Sequence, residues 1–171
     1  MPQLRKTLGD VHSQTCLQLM RLIETQSRQT LAQWAIGYAR ERYLPICRDV
    51  CPELDSLSMD CLSCARQGMS AGHCKEQMRA AAALARACQG PAEQAAARAV
   101  SVACVVLQTP SNALGFLFYG AAAVAYAEGG LDRSRTEYDA MAAEELCRAY
   151  DSLCVCAVSH ETNPAKIRWN C

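Results

Sequence analysis

The sequence has no surplus of either charge: seventeen lysines and arginines stand against seventeen aspartates and glutamates. Sequence-independent nucleic-acid binding draws on a basic excess that releases counterions, so the balance argues against a nucleic-acid partner. Histidine is scarce, with His12, His73 and His160 the only three. Glycine-rich phosphate loops are missing, as are the Walker A and GxSxG patterns. Val, Ile and Thr do not gather into alternating runs, so strands are not expected. The longest apolar stretch, Ala113 to Ala127, contains two glycines and two tyrosines and falls short of the ~20 residues a membrane span needs. It is expected to be a buried central helix rather than a membrane segment. The opening, MPQLRKTLGD, lacks the apolar run of a secretion signal, and a cytoplasmic location is expected.

What the chain has in quantity is cysteine and alanine. Twelve cysteines in 171 residues would suggest a disulfide framework in a short secreted protein. Here the expected compartment is reducing and the helical core is large enough to stand without staples. A free thiol then behaves as a small hydrophobe that packs in the core. One domain over residues 1–171 is expected, with a peripheral amino-terminal helix at 1–27, a core at 28–158 and a docked tail at 159–171. A chain of this length buries roughly two thirds of its unfolded surface.

Apolar periodicity predicts an all-α fold, a compact bundle of about seven helices around an Ala-rich buried central pair. Leu31, Trp34, Ala35 and Tyr38 fall at i, i+3, i+4 and i+7 of a helix that Pro45 ends or kinks. Leu57, Cys61, Cys64 and Ala65 mark the next stripe. Cys74, Met78, Ala81, Ala85 and Cys88 mark another, on a helix that Ser70 is placed to cap. Gly90-Pro91 separates it from the central helix, about Pro91 to Leu107, whose narrow polar stripe is Gln94, Arg98 and Ser101. Ser134-Arg135-Thr136-Glu137 spells a capping box for the last helix. Its stripe is Tyr138, Ala142, Leu146, Ala149 and Leu153, running on to Cys156. Trp169 is expected to anchor the tail.

No catalytic constellation and no cofactor is expected, so the chain reads as non-enzymatic. The best metal candidate is Cys47, Cys51, Cys61 and Cys64, two thiol pairs a few residues apart of the kind that tetrahedral zinc favours. It supports an alternative reading as a zinc, iron–sulfur or redox protein. Against it, Cys61 and Cys64 lie mid-helix on an apolar stripe, not at the helix start that activates a redox CxxC. Cys154 and Cys156 point about 200° apart on a helix and cannot chelate one ion together; core packing is expected to take at least one of them, and Cys171 is expected to be an exposed end. A small enzyme with a pocket near His73 or His160 is a third reading. On the last helix, Glu137, Glu144, Arg148 and Asp151 share a face. Solvation is the ordinary role of such a face, as it is for Glu144-Glu145, and docking of a basic partner is the functional one.

Three stretches carry a family resemblance: LAQWAIGYARERYLP (Leu31 to Pro45), the Ala-rich helices from Met78 to Leu107, and QTPSNALGFLFYGAAAVAY (Gln108 to Tyr126), followed by a terminal Ile167-Arg168-Trp169. Their order resembles the immunity proteins of bacterial polymorphic toxin systems, the Imm-five-like group. The resemblance implies an all-helical protein that binds and neutralises a cognate toxin, with no catalytic residues to carry over. The sequence departs from many relatives in having Gln108, Thr109, Pro110 and Asn112 where histidines are frequent, and in its extra amino-terminal helix. The polar Gln108–Asn112 corner joins Glu137, Glu144, Arg148 and Asp151 as the expected partner surface. The sequence leaves the oligomeric state open.

Overall fold

The computed structural model describes residues 3–170. Among them are eight α-helices and one 3₁₀ turn, with no strand: α1 (Gln14–Ile23), α2 (Arg28–Arg42), α3 (Leu44–Cys47), α4 (Glu53–Arg66), the 3₁₀ turn Ala71–Cys74, α5 (Lys75–Ala87), α6 (Pro91–Cys104), α7 (Asn112–Gly129) and α8 (Arg135–Cys156). The expected all-α bundle is what forms, and none of these helices is long and apolar enough to cross a membrane.

Hydroxyl caps set three of the starts. The Ser13 and Ser27 side chains accept from the amides of Cys16 and Thr30, satisfying first-turn donors that have no helical partner. At α8 both halves of the capping box are present: the Ser134 hydroxyl accepts from the Glu137 amide at 3.2 Å, and the Ser134 amide donates to the Glu137 carboxylate at 2.8 Å. Pro45 has no amide to donate to the ladder of α2. The chain therefore breaks at Tyr43 and resumes as the single turn of α3. Gly90, at φ +94°, takes a conformation costly for other residues and delivers Pro91 to the first position of α6.

The central pair is α6 against α7, the most extensive helix contact in the molecule. Ala96, Ala97, Ala99 and Ala103 on one side and Ala121, Ala122 and Ala125 on the other are all fully buried. Small side chains let the two axes approach closely. Around the pair, α8 packs on α7, α5 on α6, and α2 across α4 and α6, while α1 lies against α8 through a face that buries Cys16, Leu19 and Ile23. An aromatic knot of Trp34, Tyr38, Tyr43 and Phe116 joins α2 to α7, its rings meeting edge to face, as with Trp34 and Phe116 at 5.4 Å between centroids. The amino-terminal segment is tied down by Leu8, whose amide donates to the Phe118 carbonyl at 3.1 Å, and by Tyr126, whose hydroxyl donates to the Arg5 carbonyl at 2.6 Å. The tail meets the end of α1 and the connection that follows it: the Ala165 amide donates to the Gln26 carbonyl, and the Trp169 indole to Glu24.

Three expectations are corrected. Ser70 does not cap an α-helix, because its hydroxyl meets the His73 ring at 3.0 Å and the chain makes a 3₁₀ turn before α5 starts at Lys75. The buried edge of α4 includes Leu54 and Ser58, while Leu57 is half-buried. Cys154 and Cys156 are both exposed, so core packing takes neither. Leu153 is the final buried position of α8.

Candidate functional site

Of the six residues expected to meet a partner, Glu137, Glu144, Arg148 and Asp151 are exposed on α8, Gln108 is exposed, and Asn112 half-buried at the start of α7. The short connection from Gly130 to Ser134 makes α7 and α8 an antiparallel hairpin. The Asn112 end of α7 and the Asp151 end of α8 therefore lie at the same end of the pair. Glu137 lies at the other, about 21 Å along the axis from Asp151. It is also occupied: besides the Ser134 amide it meets the Arg133 guanidinium at 3.3 Å, and these contacts hold its carboxyl below the usual range.

The charge of α8 is largely compensated. Asp139 pairs with Arg5 at 2.6 Å and Arg135 at 3.9 Å, and Glu145 pairs with Arg42. Among the described residues Glu144, Arg148 and Asp151 have no ion pair. They fall at i, i+4 and i+7, one stripe, and Val155, 88% exposed, continues it at i+11. The corner is held in place from α2: Arg28 donates to the Leu107 and Gln108 carbonyls at 3.3 and 3.0 Å.

Glu145 was expected on the solvated face with Glu144, and the structure overturns this. Its side chain is fully buried. The Tyr38 and Tyr43 hydroxyls donate to Oε2 at 2.7 and 2.8 Å, and Arg42 Nε donates to Oε1 at 2.8 Å. Arg42 also reaches Glu128 at 3.5 Å. Burial, and then the Glu145 charge, push both tyrosine hydroxyls up from their ordinary value. Burial alone would lower the Arg42 guanidinium, but the hydrogen bond and charge of Glu145 outweigh it and raise it. A buried carboxylate needs such a set of donors, because desolvation would otherwise make it untenable. Gly120 on α7 makes room: a Cβ there would overlap the Tyr43 ring. The clamp thus fixes α8 to α2 across α7, directly beneath the stripe that carries Glu144 and Arg148. Periodicity gives a weak signal for it, since position 145 is three from Ala142 and four from Ala149 on the buried stripe.

The thiols pack as core residues. No disulfide forms among the described cysteines; Cys16, Cys47, Cys51, Cys61, Cys64, Cys74, Cys88 and Cys104 are buried, while Cys147, Cys154 and Cys156 are exposed. Cys171 lies outside the described residues. Cys47, Cys51, Cys61 and Cys64 do not come together as a ligand set. Among the described residues no three His, Cys, Asp or Glu side chains are placed to hold a metal ion. The folded chain regroups the thiols instead. Cys88 comes against Cys51, Cys74 against Cys64, and Cys61 against Cys104. Burial pushes Cys47, Cys74 and Cys88 up to about 12. The hydrogen bond with Cys104, followed by burial, pushes Cys61 up further. Thiols held protonated this way are poor nucleophiles and poor metal ligands. His73 sits over a small cleft of about 160 Å³ that Cys64 and Cys74 also line. His160 lies past the end of α8 at φ +57° and does not join it.

A family model described as Imm-5 like putative immunity protein matches residues 21–151 of the chain. Compared with curated proteins and with solved structures, the chain finds no match in either.

Proposed function

Because the chain belongs to the Imm-5 like putative immunity protein family, we propose that it binds a cognate bacterial toxin directly and neutralises it by covering the toxin's active site. The observation that carries this reading is the reach of the family match, which runs from α1 into the last helix and takes in every helix of the core. The contact surface we assign is the stripe Glu144, Arg148, Asp151 with the Gln108–Asn112 corner beside it. Two acids without ion pairs flank a cation there, and an apolar side chain, Val155, stands almost free at its end. Uncompensated charge suits a basic partner, since complementary potentials speed encounter and fix register. The Glu145 clamp supports the same reading, because it holds the stripe on a rigid helix and so lowers the ordering cost of association. Neutralisation would take place in the cytoplasm of the cell that makes both proteins.

The experiment is co-expression with a candidate toxin domain taken from the neighbouring genes, followed by titration of the purified pair. Growth is expected to be rescued by this chain. Glu144→Lys with Asp151→Lys is expected to weaken binding by about tenfold or more, mainly through a slower association rate that loses its salt dependence. Unchanged affinity in the double variant would refute the acidic stripe. Absence of both rescue and binding would refute neutralisation of that toxin.

A further inference from the structure

We propose that the cavity between the amino-terminal segment and the start of α6 binds a small organic dianion, a phosphate monoester or a dicarboxylate whose two oxyanion charges meet Lys6 and Arg98. The inference goes beyond toxin neutralisation and does not rest on it.

The cavity measures about 380 Å³, within the range of small-molecule sites. Arg5, Lys6 and Arg98 line it, and no aspartate or glutamate does. Of the three cations Arg5 is compensated by Asp139 at 2.6 Å. Lys6 and Arg98 have no ion pair among the described residues, which leaves two uncompensated positive charges lining one open cleft. Arg98 is the more telling. It is half-buried, and its Nε is the one buried side-chain nitrogen or oxygen among the described residues without a hydrogen-bond partner. Buried polar atoms are nearly always satisfied, and an exception calls for a missing partner.

The acid of α6 stands elsewhere. Glu93, five residues before Arg98, lies on a different face of the helix, and its carboxylate folds back over Gly90 at the start of the helix and lines the neighbouring depression. Gln94 is likewise engaged, donating to the Cys88 carbonyl at 3.2 Å. The remaining wall is mixed, with Gln3 and Gln89 beside Leu4, Ala95 and the Tyr126 ring, and suits a short carbon skeleton that carries hydroxyl or carbonyl groups. A guanidinium with its planar fork of donors matches a carboxylate or phosphate edge, while the lysine supplies a second point charge from the rim. Gln3, Leu4, Arg5 and Lys6 precede residue 21, so one wall of this cavity, a third of its lining residues, is built by chain outside the family match. The extra amino-terminal segment would then have a ligand of its own.

The test is calorimetric titration of the full chain with ribose 5-phosphate, with succinate and with neutral ribose, at constant ionic strength. Saturable binding of one ribose 5-phosphate or succinate per chain is expected, with none for ribose. Arg98→Gln and Lys6→Ala are each expected to weaken it by about tenfold or more. Lys6 is exposed and its side chain makes no hydrogen bond or ion pair among the described residues, so its variant keeps the test valid if Arg98→Gln disturbs folding. Failure of both dianions to saturate below about 10 mM, or equal affinity in wild type and Lys6→Ala, would overturn the proposal.

Discussion

Replacing Glu145 by alanine tests whether the buried clamp governs the placement of α8. Removal of the carboxylate leaves three donors without their acceptor. The Tyr43 side chain is fully buried and Tyr38 is 8% exposed, so neither hydroxyl gains adequate water, and an unsatisfied buried donor costs about 1–3 kcal/mol. Arg42 is better placed, since its side chain is 25% exposed and Glu128 lies 3.5 Å away. The two hydroxyls therefore carry most of the loss, with a cavity cost added. The sum is about 3–5 kcal/mol, the usual range for a buried pair that loses one partner. Against a total stability of about 5–15 kcal/mol that is a large share. Glu145→Gln retains one acceptor oxygen for the tyrosines but turns an amide toward Arg42, and is expected to cost about 1–3 kcal/mol. Urea unfolding followed by circular dichroism measures both. A cycle with Tyr43→Phe sharpens the test, because the phenylalanine is expected to cost about 1 kcal/mol in wild type and to recover about 1 kcal/mol or more once Glu145 is gone and the hydroxyl has no acceptor. A loss below about 1 kcal/mol for Glu145→Ala, or equal Tyr43→Phe costs in the two backgrounds, would refute the argument that the three side chains act as one unit.

Gly120→Ala places a methyl group into the Tyr43 ring, and is expected to destabilise by about 2–3 kcal/mol, a fall of ~5–10 °C in Tm for a chain of this length; an unchanged Tm would mean that Tyr43 does not need the glycine. Stability under reducing conditions is expected to fall as pH rises above 9, the ordinary thiol value, toward the folded value of about 12 at Cys47, Cys74 and Cys88. In that window the unfolded chain has released protons that the folded chain still holds, so the slope of unfolding free energy against pH is negative. Urea unfolding at pH 7.5, 9 and 10 reads the slope, which is expected to be shallower in Cys47→Ala; a flat profile in wild type would show that these thiols ionise in the folded state as readily as in water.

The helix starts were legible because they are local. A serine hydroxyl needs only the amide two or three residues ahead of it, and a proline breaks a helix with no help from the rest of the chain. Ser134 and Pro45 behave as their neighbours in sequence dictate. The stripe of α5 was legible for the same reason, and Cys74, Met78, Ala81, Ala85 and Cys88 are each buried as the spacing requires. Ser70 failed because its hydroxyl meets a competing local partner, the His73 ring, and makes no cap hydrogen bond. Cys156 failed because periodicity continues past the point where packing stops.

The candidate site was less legible, and Glu145 shows why. Its position beside Ala142 and Ala149 places it at the edge of the buried stripe, but a carboxylate is buried only when donors await it. Those donors, Tyr38, Arg42 and Tyr43, stand more than a hundred residues earlier on a different helix, and no period in α8 points to them. Residues 38 and 42 are four apart and so share a face of α2, which is the one local hint that a polar pair was aimed at a common acceptor. The same reasoning separates the thiols. The 47-51 and 61-64 spacings suggest two halves of one ligand set, yet Cys88 joins Cys47 and Cys51 in one group while Cys74 and Cys104 join Cys61 and Cys64 in another, because the packing of α5 and α6 brings a distant thiol to each pair and leaves the pairs apart. A ligand set read from spacing assumes that the loop folds around the ion. Here hydrophobic burial of the thiols decides their partners first.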